Sequence, residues 1–179
     1  MIQIQEKPIL VLGGTGKTGR RVAEQLAARG LPVRIGSRSA TPAFDWNDRS
    51  SWAAALEGVR AVYVSYYPDL TIPGAKDAIE ALAKLAVGMS IRRLVLLSGR
   101  GEEEAQATEK ALMALGADLT IVRASWFMQN FSEGAFLDDI LAGELALPVG
   151  AVREPFIDAE DIADVAVVAL TEDRHIGQT

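Results

Sequence analysis

The sequence predicts an α/β fold, a doubly wound, mostly parallel sheet with helices on both faces. Three observations carry that expectation. Short apolar runs alternate with helix-forming stretches along nearly the whole chain, as repeated strand–helix units do. The strand candidates are mostly apolar, which suits strands covered on both faces. The first of them enters the following helix through a glycine-rich turn.

The elements follow in order. Ile9–Leu12 is an apolar strand, and residues 17–30 read as the helix after the turn. Residues 32–35 form a second buried strand that ends in Gly36, Ser37, Arg38 and Ser39. Residues 43–45 read as a short strand and 48–57 as a small helix. Residues 59–65 are a strand, and 74–87 an amphipathic helix rich in Ala and Leu. Residues 91–97 make the clearest strand after the first. Residues 102–115 are helical, with acids at the start that complement the helix dipole. Residues 118–123 are the next strand, 136–141 a short helix, 154–157 a short strand and 158–170 a helix. Asp158 is placed as the N-cap of that last helix, with Asp161 as a capping-box variant.

Composition fits one soluble domain spanning residues 1–179. Apolar residues make up 49% and charged residues 23% of the 179, with no cysteine and a single histidine, His175. Disulfides, thiolate chemistry and a histidine metal cluster are thereby excluded, and no metal site is expected. A net charge of −6 with scattered basic residues argues against nucleic acid as a partner. No apolar run is long enough for a membrane span, and no signal core follows the N-terminus, so a cytoplasmic protein is expected.

The turn is the most informative segment. A strand that turns sharply into a helix leaves unpaired amides and a partial positive charge aimed at one spot, which attracts phosphate. Gly13, Gly16 and Gly19 allow the tight turn, the approach of a pyrophosphate and close helix packing, a Rossmann-type arrangement. Thr15, Lys17 and Thr18 fall in the same cradle. The second strand ends without the acid that holds the ribose hydroxyls of NAD, and instead offers Arg38 beside Ser37. That pattern favours the 2′-phosphate of NADP(H) over NAD(H). In such a sheet the ligand lies outside the carboxyl ends of the strands. Asp45 and Trp46 are then expected beside the adenine, Ser65 and Tyr66 along the middle of the cofactor, and Ser98 at its reactive end. Trp126 and Phe127 make that end aromatic and suit a flat substrate.

Taken together, the glycine turn, the segment Ala55-Leu56-Glu57-Gly58-Val59, Thr108-Glu109-Lys110 and Gly116 to Arg123 resemble a known family. The run Trp126-Phe127-Met128-Gln129-Asn130-Phe131, then Phe156-Ile157-Asp158 with Asp161-Ile162-Ala163, extends the resemblance over nearly the whole chain. The pattern is similar to the NmrA-like branch of the atypical short-chain dehydrogenases/reductases, which includes NAD(P)H:quinone oxidoreductases. That resemblance implies an NADP(H)-dependent oxidoreductase acting by hydride transfer on a quinone or similar small carbonyl acceptor. The alternative it implies is a non-catalytic NADP(H)-binding redox sensor with a regulatory partner protein. A homo-oligomer fits either, and a sugar-nucleotide epimerase is disfavoured.

Two departures from the family matter. Its dehydrogenases carry a Tyr-x-x-x-Lys pair on the helix equivalent to residues 102–115, and this helix has no tyrosine. Reductase relatives often carry a lysine where this chain has Ala105, and Lys110 reads as a solvated charge. The remaining candidates for a proton donor are Ser98, Tyr66 and Tyr67. The family also continues into a smaller substrate lobe, which is expected to be largely absent from these 179 residues; the sequence leaves open an incomplete chain, a lost substrate pocket, or a wall borrowed from a partner subunit.

Overall fold

In the computed structural model, described for residues 6–134, 136–147 and 150–179, the five strands of the main sheet are all parallel. They are β1 (Ile9–Leu12), β2 (Val33–Gly36), β3 (Ala61–Val64), β4 (Arg93–Gly99) and β5 (Asp118–Ala124), in the order β2-β1-β3-β4-β5. The order reverses between β1 and β3, so the carboxyl ends of those two strands open the crevice where such sheets bind ligands. β1 and β3 are buried at every position, as their unbroken apolar runs require.

Helices cover both faces. α1 (Lys17–Ala28) and α6 (Ala159–Thr171) pack side by side on one, where Val22 and Leu26 meet Ile162, Ala166 and Val11. α2 (Trp52–Leu56), α3 (Ala75–Gly88) and α4 (Glu103–Met113) cover the other, where Ile79, Leu82 and Leu112 meet Leu10, Val62 and Leu94. Gly30, at φ +74°, ends α1 in the left-handed conformation that a side chain disfavours. Among the described residues no helix is long and apolar enough to cross a membrane.

Three expectations are corrected. Residues 43–45 form no strand: Asp45 makes only an isolated bridge to Asp48, and Phe44 turns inward to stack on Trp52. The 154–157 strand shrinks to β7 (Phe156–Ile157), which pairs with β6 (Trp126–Phe127) in a separate two-stranded sheet. Trp126 and Phe127, beyond the end of β5, thus lie outside the main sheet. Asp158 does cap α6, accepting from the Glu160 amide at 2.8 Å, but Asp161 makes no return bond among the described residues. Gln129 takes up the remaining capacity, donating to Asp158 Oδ1 at 2.8 Å and accepting from the Ala159 amide at 2.8 Å. Helix α5 (Leu137–Leu141) lies as expected.

The outer edge of β5 is occupied by the last residues. Gly177 N–H donates to Leu119 O at 2.7 Å, Ile121 N–H to Gln178 O at 3.0 Å, and the Thr120 hydroxyl to His175 O at 2.6 Å.

Candidate functional site

A cleft of about 1270 Å³ runs along the carboxyl ends of the strands. At one end lies the glycine turn. Gly13 takes φ +66°, and its carbonyl oxygen accepts from the Gly16 amide at 2.8 Å. A Cβ on Gly19 would collide with that same carbonyl, so only glycine lets α1 start this close to β1. Gly19 thus packs behind the turn, whereas Gly13, Thr15, Gly16, Lys17 and Thr18 line the cleft. The first-turn amides of α1 have no intrahelical acceptor, and no acidic side chain sits in that turn. Thr18 is held from behind by the buried Tyr63 hydroxyl at 3.0 Å, and burial raises the Tyr63 pKa.

Ser37 and Arg38 leave the end of β2 and line the same cleft. Arg38 is exposed and has no ion-pair partner among the described residues. Asp45 and Trp46 stand beside them. The Asp45 carboxylate accepts from the Asn47 amide at 2.9 Å, and its carbonyl accepts from the Trp52 indole at 2.7 Å. Trp46 lies between Phe44 and Tyr66, with ring centroids 5.0 and 4.7 Å away. Ser65 rests against Gly13, Tyr66 is half-buried, and Tyr67 is 76% exposed.

Toward the other end lie Ser98, Trp126 and Phe127. Trp126 is no core residue. It is 42% exposed and stacks on Phe136 at 5.9 Å, and Phe136 continues to Phe131 at 5.6 Å and Phe156 beyond. Ser98 is buried, and its hydroxyl proton is directed at Glu109 Oε1, 2.6 Å away. Glu109, only 1% exposed, also receives Arg123 through both Nε and Nη2. Burial opposes ionisation of Glu109, but the hydrogen bonds from Arg123 and Ser98 and the Arg123 charge prevail and hold its pKa below the usual carboxylate range.

The structure thus gathers every residue singled out for the cleft, with Gly19 just behind it. Sequence reasoning missed the Ser98–Glu109–Arg123 network, because an acid on an exposed-looking helix reads as solvated. It also missed Glu102, Glu133 and Phe136, which line the cleft from outside the strand ends. Glu133 accepts from Arg20 at 2.7 Å and Arg21 at 2.8 Å, and Arg21 reaches Glu160 at 2.7 Å. These bonds fasten the segment after β6 to the helix that follows the glycine turn.

The fit to a dinucleotide is physical. A turn that only glycine can make presents free amides, Lys17 and Arg38 stand nearby with no ion-pair partner among the described residues, and the far end is aromatic.

Comparison with known proteins agrees. Residues 13–173 match the family described as NAD(P)H-binding. The chain is 33% identical over 181 residues to agroclavine dehydrogenase of Claviceps fusiformis, covering 91% of this chain and 63% of that protein. It spans 62–63% of the length of the curated relatives it matches. Among solved structures, a nucleoside-diphosphate-sugar epimerase of Staphylococcus aureus superposes with a TM-score of 0.80 at 18% identity, over 96% of this chain and 69% of that one. Citrobacter sp. triphenylmethane reductase complexed with NADP(H) gives a TM-score of 0.71 at 20% identity, over 96% and 68%.

Proposed function

This chain belongs to the NAD(P)H-binding family, with neighbours in the NmrA-like, atypical short-chain dehydrogenase/reductase class, and on that premise we propose that it is an NADP(H)-dependent oxidoreductase reducing a quinone or similar small carbonyl acceptor. The observation that carries the reading is one continuous cleft with a glycine-only amide turn at one end and exposed aromatic rings at the other. Amides of residues 15 to 18 hold the pyrophosphate, with Lys17 adding charge. Arg38 with Ser37 takes the 2′-phosphate, since a planar guanidinium pairs with phosphate through two bonds. Asp45 and Trp46 face the adenine, and Ser65 and Tyr66 the middle of the dinucleotide. Ser98 stands at the nicotinamide end, and Trp126 with Phe127 walls the acceptor. When bound, the reduced nicotinamide supplies a hydride, while the protein supplies orientation and a dry surface. The names of the dehydrogenase and reductase relatives support this chemistry.

A second reading, an NADP(H)-binding sensor without turnover, is favoured by one observation: the Ser98 proton is committed to Glu109 and no tyrosine lies on α4. The two separate in one experiment. Purified protein is mixed with NADPH and a panel of quinones, and the absorbance of the reduced nicotinamide is followed. Turnover supports the oxidoreductase. Tight NADPH binding with every quinone inert supports the sensor.

A further inference from the structure

Resting on the reading that the cleft reduces a carbonyl acceptor, we propose that Glu102 is the catalytic residue that delivers the proton to the acceptor's oxygen. The position is built for it. Glu102 is the residue just before α4, and its carboxyl lies over Gly99 at the carboxyl end of β4, where any Cβ would displace it. It lines the cleft together with Ser98 and Tyr66.

Every other carboxyl lining the cleft is engaged. Asp45 accepts from the Asn47 amide, and Asp69 from the Thr71 amide and hydroxyl. Glu133 holds Arg20 and Arg21, and Glu154 lies 3.4 Å from Arg100. Glu102 makes no capping bond to α4 and has no hydrogen-bond or ion-pair partner among the described residues. Of the other candidates, the Ser98 proton points at Glu109, Tyr67 stands in solvent, and Tyr66 packs its ring on Trp46 at the adenine side of the cleft.

The surroundings favour the protonated carboxyl. Burial, then the charge of Asp69 from the loop after β3, then Glu104 on α4 itself, raise the Glu102 pKa above the ordinary carboxylate range. The neighbouring cation, Arg100, is directed at Glu154 instead.

The step balances. As the carbonyl carbon accepts hydride, the π pair of the C=O bond moves to oxygen, which takes the proton from Glu102. The acceptor gains two electrons, the nicotinamide is oxidised, and water reprotonates the carboxylate. Acceptors differ in their need for it. A quinone yields a quinolate stable enough to take its proton from water, whereas an aldehyde yields a strongly basic alkoxide.

The test uses NADPH with 4-nitrobenzaldehyde and 1,4-naphthoquinone as probes, on wild type and Glu102→Gln. The variant should lose about 100-fold in kcat/KM for the aldehyde, lose far less for the quinone, whose quinolate can take its proton from water, and regain part of the aldehyde rate as Glu102→Asp. Wild-type aldehyde kcat/KM should fall as pH rises through the Glu102 pKa, a limb absent from the glutamine variant. Without nucleotide, carbon-detected NMR should show the Glu102 carboxyl, assigned by its disappearance in Glu102→Gln, titrating above an ordinary glutamate and lower in Asp69→Asn. A variant that reduces the aldehyde at the wild-type rate, or loses both acceptors equally, overturns the assignment, as does a Glu102 carboxyl titrating at or below the ordinary value. Wild type that reduces only the quinone leaves the oxidoreductase standing and removes the donor. Wild type inert toward both probes removes both.

Discussion

Replacing Glu109 with glutamine removes the charge that binds Arg123 and receives the Ser98 proton, in a place water does not reach. The expected cost is about 2 kcal/mol of folding stability at neutral pH, less than for a fully buried pair because the Arg123 side chain, 41% exposed, can still hydrate. The Glu109 pKa is lower in the folded than in the unfolded chain. Its contribution is therefore full above the unfolded value and is lost as pH falls through the folded one. Urea midpoints of wild type and variant should differ at neutral pH and converge in acid; a constant gap would refute the ion pair. Arg38 makes a different prediction, about selectivity. Arg38→Ala should weaken NADPH by about tenfold to a hundredfold, the worth of a charged hydrogen bond, and leave NADH nearly unchanged by titration. Equal losses would remove the 2′-phosphate role. That Arg38 lies at the cleft was legible in the sequence because it follows directly on a strand end. Glu109 and Glu102 were not, since their meaning depends on what β5 and the loop after β3 bring against them.

At the level of elements, the glycine turn was readable because steric exclusion is local: Gly13, Gly16 and Gly19 fall where strand and helix must nearly touch. A methyl group at position 19 has a backbone oxygen in its way, and backbone yields less readily than a side chain. Gly19→Ala should therefore lower stability by about 1–3 kcal/mol and abolish measurable NADPH binding, read by denaturation and calorimetry on the same sample. Wild-type affinity in a folded variant would exclude the turn as the pyrophosphate site. The unbroken apolar runs of β1 and β3 announced buried parallel strands in the same way. Residues 43–45 misled for the opposite reason. Phe44 is drawn into the core beside Trp46 and Trp52, a packing preference that overrides local strand propensity. β6 and β7 pair Trp126 with Phe156 and Phe127 with Ile157, residues far apart in the chain, a juxtaposition that neither segment encodes alone. The α6 cap shows both sides: Asp158 was evident from its position, whereas its partner Gln129 comes from a distant turn.

Across the whole molecule, the cleft is assembled from both halves of the sheet and from the segment after β6, which Glu133 fastens to α1 through Arg20 and Arg21. A ligand spanning that cleft binds only the folded arrangement, so NADPH at a hundred times its dissociation constant should stabilise the protein by about 2.7 kcal/mol. Thermal melts with and without NADPH measure this, and an unmoved transition would argue against a site built across the sheet. The remaining consequence concerns the residues alongside β5. An unpaired strand edge is a template on which a foreign chain can nucleate. Here Gly177 and Gln178 already engage Leu119 and Ile121, and the Thr120 hydroxyl is tied down as well. Stripping that short ribbon away would expose a ladder competent to seed intermolecular aggregates, so solubility on this flank is guarded by the protein's own backbone.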